Sequence, residues 1–257
     1  MSRRVASARQ AWLWVFCSLL ASPVLAGQAR LSIAVRPADS AAGWAPARAL
    51  SELLTADLMH SGLPGLRFMA DPHGAGPAGQ SAPMRLDDAG LDLLVELGGE
   101  QAAAGEGRLV VELIVTASDP LRGLTLFRKA VSSPPYSAGK ATAMAAGKRA
   151  LRGASAALSD WLKEYLAEAA RHGRWLRVEL MEAPAPVRKA VRNELAARCR
   201  KVEADSASNT FDARCPSPAA QLFVRLLQAV ESCGAWDKSR CQRVAAGRLL
   251  RLRCESH

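Results

Sequence analysis

Residues 50–62 read LSELLTADLMHSG. Leu50, Leu53, Leu54 and Leu58 fall at i, i+3, i+4 and i+8. That is one face of a 3.6-residue period, so the stretch predicts an amphipathic helix. Pro46 opens it, where a missing N–H costs nothing, and Gly62 stops it. Upstream, RLSIAVRP (30–37) alternates and ends in proline, which predicts a strand. Downstream, LRFMAD (66–71) predicts a second. LDLLVELGGE (91–100), RLVVELIVTAS (108–118) and LTLFRKAVS (124–132) predict three more. Their short Gly- and Asp-Pro-marked connections favour an antiparallel meander. A long helix over 140–171 follows, with Leu151, Leu158, Leu162 and Tyr165 on one face, and Gly173 ends it. The predicted order is β-α-β-β-β-β-α.

The remainder reads differently. RWLRVELMEA (174–183) is a strand, and Val187, Val191, Leu195 and Cys199 repeat every four residues on a helix. KVEADSASNTFDARC (201–215) is a hairpin turning at 206–209. Ser217 caps a helix with Pro218 in its first turn and a stripe of Leu222, Leu226, Leu227 and Val230. GRLLRLRC (247–254) is the last strand. The order β-α-β-β-α-β is the split-βαβ, ferredoxin-like pattern. The fold class is therefore α+β in two domains: 27–172, a mixed sheet with two helices, and 173–257, a small ferredoxin-like domain.

Charge and cysteine place the same boundary. Residues 27–172 hold 15 basic and 15 acidic residues, whereas 173–257 hold 16 basic and 9 acidic. A basic excess confined to one domain points to an anionic partner, and Arg177, Arg188, Lys189, Arg192 and Arg198 are its candidate surface. The competing reading is a merely solvated basic surface. Every cysteine except Cys17 lies after residue 198. An exported small domain is where disulfides form. Cys233 and Cys241 flank GAWDKSR, so a Cys233–Cys241 bridge is expected to staple the loop before the last strand. In a 4-1-3-2 sheet the strands ending at Cys215 and Cys254 lie two spacings apart, about 9–10 Å, beyond the roughly 7 Å limit of a bridge. Cys199 is then the partner of Cys215, and Cys254 is left over. One register objection exists. Pairing Val202 with Ala213 and Ala204 with Phe211 sets Arg200, not Cys199, opposite Cys215. Cys199 sits at the helix end, where strand alternation is not yet imposed.

The amino terminus sets the compartment. MSRRVASARQ (1–10) carries three arginines and no acid, and AWLWVFCSLLASPVLA (11–26) is a short apolar run leaving through small residues. This is the pattern of a cleaved secretory signal over 1–26, and the run is too short to span a bilayer. No other stretch is apolar enough to span. The mature chain is expected to be soluble and periplasmic.

With strand LSIAVRP (31–37), a helix closing on LTADLMHSGLPGLRFM (54–69), LDLLVELGGE and LVVELIV (109–115), and a late long helix, residues 30–172 resemble the amino-terminal domain of TolB. The wider group holds the curli secretion protein CsgG and lipoprotein activators of penicillin-binding proteins. Asp57-Leu58 and Ser61-Gly62 match the group's turn after the helix. The resemblance implies a fold and a periplasmic setting, and no catalytic residues. The repeated propeller blades of TolB do not follow, nor do the added membrane strands and lipid anchor of the curli channel, nor the lipidated cysteine and linker of the activators. A flagellar assembly protein of the FlgT type also holds such a domain, after an extra domain not found here.

No reaction is written in the residues. Gly74, Gly76 and Gly79 fit a dinucleotide fingerprint, but Pro77 sits inside it and no helix opens there to meet a pyrophosphate, so no cofactor is expected. His60, His73, His172 and His257 have no metal spacing, and no CxxC occurs, so no metal site is expected. Asp87, Asp88 and Asp92 read as turn residues on a solvated surface. The chain is expected not to be an enzyme. The leading reading is a non-catalytic periplasmic binding or scaffold protein of a cell-envelope assembly or secretion system. Its partner would be an envelope protein, with an anionic surface or glycan possible at the basic domain. The alternatives are a subunit of a curli-type secretion channel and a hydrolase with an unrecognised site. Nucleic acid is excluded by export and by the lack of aromatics among the arginines.

Overall fold

The computed structural model describes residues 31–39, 44–69, 90–105, 107–137, 140–205, 209–234 and 241–254. The signal segment with Cys17, the glycine loop at 74–79 with His73, and Asp87 and Asp88 lie outside these residues. The chain folds as α+β, with two sheets, two main cores and a small third cluster of Ala34, Leu91 and Leu94.

The first sheet carries β1 (Leu31–Pro37), β2 (Leu66–Phe68), β3 (Leu93–Gly105), β4 (Arg108–Asp119), β5 (Leu124–Ser132) and β6 (Tyr136–Ser137). Its helices are α1 (Pro46–His60) and α2 (Lys140–His172). The strand order is β2-β1-β3-β4-β5, with β6 beside β4. β1 runs parallel to both β2 and β3, while β3, β4 and β5 form the expected antiparallel meander. The sheet is therefore mixed. The leucine stripe of the opening helix does what its period requires: Leu50, Leu54 and Leu58 are buried against Ile33, Leu93 and Val95. α2 lays Leu151, Leu158 and Leu162 on the same core, and Trp161 stacks between Phe127 and Tyr165, ring centroids 5.3 and 5.1 Å away.

The second sheet carries β7 (Arg174–Met181), β8 (Lys201–Asp205), β9 (Thr210–Cys215), β10 (Cys241–Ala246) and β11 (Leu249–Cys254), with α3 (Ala185–Arg198) and α4 (Ala219–Ser232). Its order is β10-β11-β7-β9-β8. Without β10 this is 4-1-3-2, the split-βαβ order. Leu176, Val178 and Leu180 of β7 meet Val187, Val191 and Leu195 of α3 and Leu222, Leu226 and Val230 of α4 in the core. Ser217 is not the cap of α4; Pro218 occupies that position, and no side chain caps the helix.

Cys199 and Cys215 are bridged, with Cα atoms 4.2 Å apart. The register pairs Val202 with Ala213 and Ala204 with Phe211. The bridge still forms because Cys199 lies before β8, as the extended cap residue of α3. The expected Cys233–Cys241 bridge does not form. Cys233 is a free thiol at the end of α4 and donates to the Val230 carbonyl at 2.9 Å. Cys241 is disulfide-bonded elsewhere. The reason is β10, an additional edge strand that turns back along β11 and sets Cys241 across from Cys254.

A single glycine joins α2 to β7. Gly173 has φ +86°, and a Cβ there would lie 2.0 Å from the Cys215 carbonyl oxygen. Around this junction the units meet through charge. Arg248, on the β10–β11 turn, is 4% exposed and reaches Asp119 of β4 (0%) and Asp92 beside β3 (2%). Its Nη2 donates to Asp119 Oδ1 at 2.8 Å and to the Leu91 carbonyl at 2.8 Å; its Nη1 donates to the Trp175 carbonyl at 3.2 Å. Burial opposes the Arg248 charge, but its hydrogen bond to Asp119 and the negative charges of Asp119 and Asp92 hold its pKa above the ordinary guanidinium value. Arg174 closes on Asp92 from the other side, with Nε 2.9 Å from Oδ1. Asp92 is thus a buried ion-pair member, not the solvated turn residue expected, because two arginines from the far unit converge on it. Arg214 binds Glu168 at 2.6 Å, and this hydrogen bond lowers the Glu168 pKa. Arg122 stacks on Trp175 at 3.8 Å and pairs with Glu203 at 2.9 Å. At the centre two backbones touch: a Cβ on Gly247 would lie 2.4 Å from Gly90 Cα.

Candidate anion-binding cleft

The core stripe of α3 dictates where its cations go. Val187, Val191 and Leu195 point into the sheet, so the residues between them flank the helix. Arg188 and Arg192 are one turn apart and share an edge. Lys189 lies beside them. α3 has no acid in its first turn, so nothing on that turn offsets the cations. Glu182, at φ +57°, turns the chain sharply from β7 toward the helix.

These three cations line a cleft of about 550 Å³ between α3 and the β8–β9 hairpin. Ala204, Asp205, Asn209 and Phe211 form the opposite wall. The Arg192 guanidinium lies 5.9 Å from the Phe211 ring centroid, a cation–π distance that orients it over the cleft. Arg188, Lys189 and Arg192 are all exposed, and no ion pair is recorded for any of them among the described residues. The volume is in the range of small-ligand sites. The lining gives three positive groups against one carboxylate.

The other two predicted cations stand apart. Arg177 projects from the opposite face of the sheet, where Nε and Nη2 each donate to Asp212 at 2.9 Å. That hydrogen bonding raises its pKa despite burial. Arg198 pairs with Glu194 one turn back in α3. The five cations of the sequence reading thus divide into three at the cleft and two engaged by carboxylates. The cleft wall on β8 was not predicted. The signal was present in the hairpin register, which sets Ala204 beside Phe211.

Among the described residues no group of three or more His, Cys, Asp and Glu side chains is arranged to hold a metal ion. His60 contacts only the Ala56 carbonyl of its own helix among the described hydrogen bonds, at 2.6 Å. Among the described residues no helix is long and apolar enough to cross a membrane.

No family model and no curated protein sequence matches the chain. Among solved structures, a PelC variant dodecamer from Paraburkholderia phytofirmans is similar at 11% identity, over 50% of this chain and 88% of that one, with a TM-score of 0.33. Lipoprotein GNA1162 from Neisseria meningitidis is similar at 14% identity, over 51% of this chain and 95% of that one, with a TM-score of 0.28. At such TM-scores neither likeness carries an argument about this chain.

Proposed function

We propose that this chain is an exported, non-catalytic binding or scaffold protein of a cell-envelope assembly, and that it holds an anionic partner in the α3–β8 cleft. One observation carries the reading. Arg174, Arg177, Arg198, Arg214, Arg248 and Arg251 of the same unit are paired with carboxylates. Arg188, Lys189 and Arg192 instead face a concave space. A cluster of like charges on one wall is unfavourable to the fold alone and favourable to a negatively charged ligand. The signal-like segment at 1–26 supports export.

The test is binding of labelled polyphosphate and polyglutamate to the purified chain. Affinity should fall as salt rises, because exposed charges are screened beyond about 10 Å at 0.1 M salt. The triple variant R188E/K189E/R192E should lose binding, while R198E, away from the cleft, should keep it. Equal binding by the triple variant and the parent would refute the cleft as the anion site. Mass spectrometry of exported protein should find Gly27 at the amino terminus. Native mass measurement separates this reading from a secretion channel: a ring of many copies in detergent would favour the channel.

A further inference from the structure

The cleft has a neighbour that narrows the choice of partner. β8 is the edge of its sheet. One side pairs with β9, and no described strand pairs with the other. An open edge presents backbone donors and acceptors at every second residue, about 6.8 Å apart. α3 does not reach over this edge. Ala204 is exposed on the helix side although Phe211, its cross-strand partner, is buried. The gap between helix and edge is the basic cleft itself.

A second cleft, about 430 Å³, lies on the other face of the same strand, lined by Arg177, Glu203, Thr210 and Asp212. Ala204 and Asp205 belong to both clefts, so the two spaces meet at the β8 edge. A strand sends successive side chains to opposite faces. A strand laid along β8 therefore sends one set of side chains to Arg188, Lys189 and Arg192, and the alternate set to the second cleft, a polar space in which Glu203 and Asp212 are already paired with Arg122 and Arg177.

We propose that an extended segment of a partner protein, with Asp or Glu at every second position and Ser or Thr between, adds to β8 as a sixth strand of this sheet. This rests on the reading above that the cleft takes an anionic partner. Main-chain hydrogen bonds supply the affinity, and the two clefts supply the sequence preference. A polysaccharide or a polyphosphate matches the charges of the first cleft but not the backbone of the edge. A membrane surface does not enter a concave site.

The test uses a labelled octapeptide of alternating Glu and Thr, two N-methylated versions of it, and polyphosphate, each titrated against the purified chain. In a strand the amides of alternate residues point to opposite edges. Methylating the set that faces β8 should weaken binding about tenfold or more, whereas methylating the other set should leave it unchanged. Amide exchange at residues 201–205 should slow when the parent peptide binds. R188E/R192E should also weaken the parent peptide about tenfold. If both methylated peptides bind like the parent, or both lose equally, strand addition is overturned. In that case binding of polyphosphate, and its loss in R188E/R192E, still supports the anion cleft. If neither the parent peptide nor polyphosphate binds, both readings fall.

Discussion

At the scale of single residues, Arg248 is the most consequential side chain of the molecule. It is one buried cation between two buried carboxylates, Asp92 and Asp119, drawn from the other unit. Removing one member of a buried ionic cluster leaves an uncompensated charge, which costs far more than the cluster contributes against an apolar substitute. Arg248→Met is expected to lower stability by about 3–5 kcal/mol in urea unfolding. Adding Asp119→Asn should recover part of that loss; strictly additive losses would show that the two groups are not coupled. Tyr165 supplies a second test. Burial first, and the negative charge of Asp119 second, raise its pKa from 10.0 to about 12. A raised pKa means the fold favours the neutral phenol. The associated stability is fully present below pH 10 and is lost as pH rises toward 12. An absorbance titration should show a phenolate step near pH 12 that disappears in Tyr165→Phe. The ionic cluster was not legible in sequence. Asp92 and Arg248 are separated by 156 residues, and an Asp before a strand looks the same whether water or arginine solvates it.

At the scale of elements, legibility followed hydrophobic period. α1, β4, α3 and α4 could be read because their buried positions recur at 3.6 or 2 residues. β10 could not. Its six residues are exposed or half-exposed throughout, so no alternation marks them. Missing it produced the wrong bridge at Cys233. The geometry of the β10–β11 hairpin now makes a definite claim: non-reducing peptide mapping should yield a linked Cys241–Cys254 peptide, with Cys233 alkylated. A Cys233–Cys241 peptide would contradict the register that places Cys241 opposite Cys254. The Cys199–Cys215 bridge closes a sequence separation of 16 residues. A loop of that size corresponds to about 3 kcal/mol of denatured-state constraint. C199A/C215A should therefore lose about 2–4 kcal/mol, read as a lower denaturation midpoint.

At the scale of the whole molecule, the charge step at Gly173 was visible in the sequence but only part of its meaning was. A count of 16 basic against 9 acidic residues invites an external partner. Three of those cations instead face the first unit: Arg174 on Asp92, Arg214 on Glu168 and Arg248 on Asp119. The basic excess therefore serves internal docking as well as the cleft. We expect residues 27–172 to fold alone. Their core is separate, and Asp92 and Asp119 regain water once the second unit is gone. The check is a cooperative thermal transition of that fragment; a broad, sloping melt would argue that the units fold as one.

The position of Arg248 along the chain also imposes a chronology. Its carboxylate partners emerge 129 and 156 residues earlier. Until the last hairpin arrives, Asp92 is paired by Arg174 alone and Asp119 lacks its arginine. A chain cut after α2 and before that arginine keeps its first core but leaves Asp119 without its cation, and so uncovers an acidic group that the β10–β11 hairpin otherwise hides.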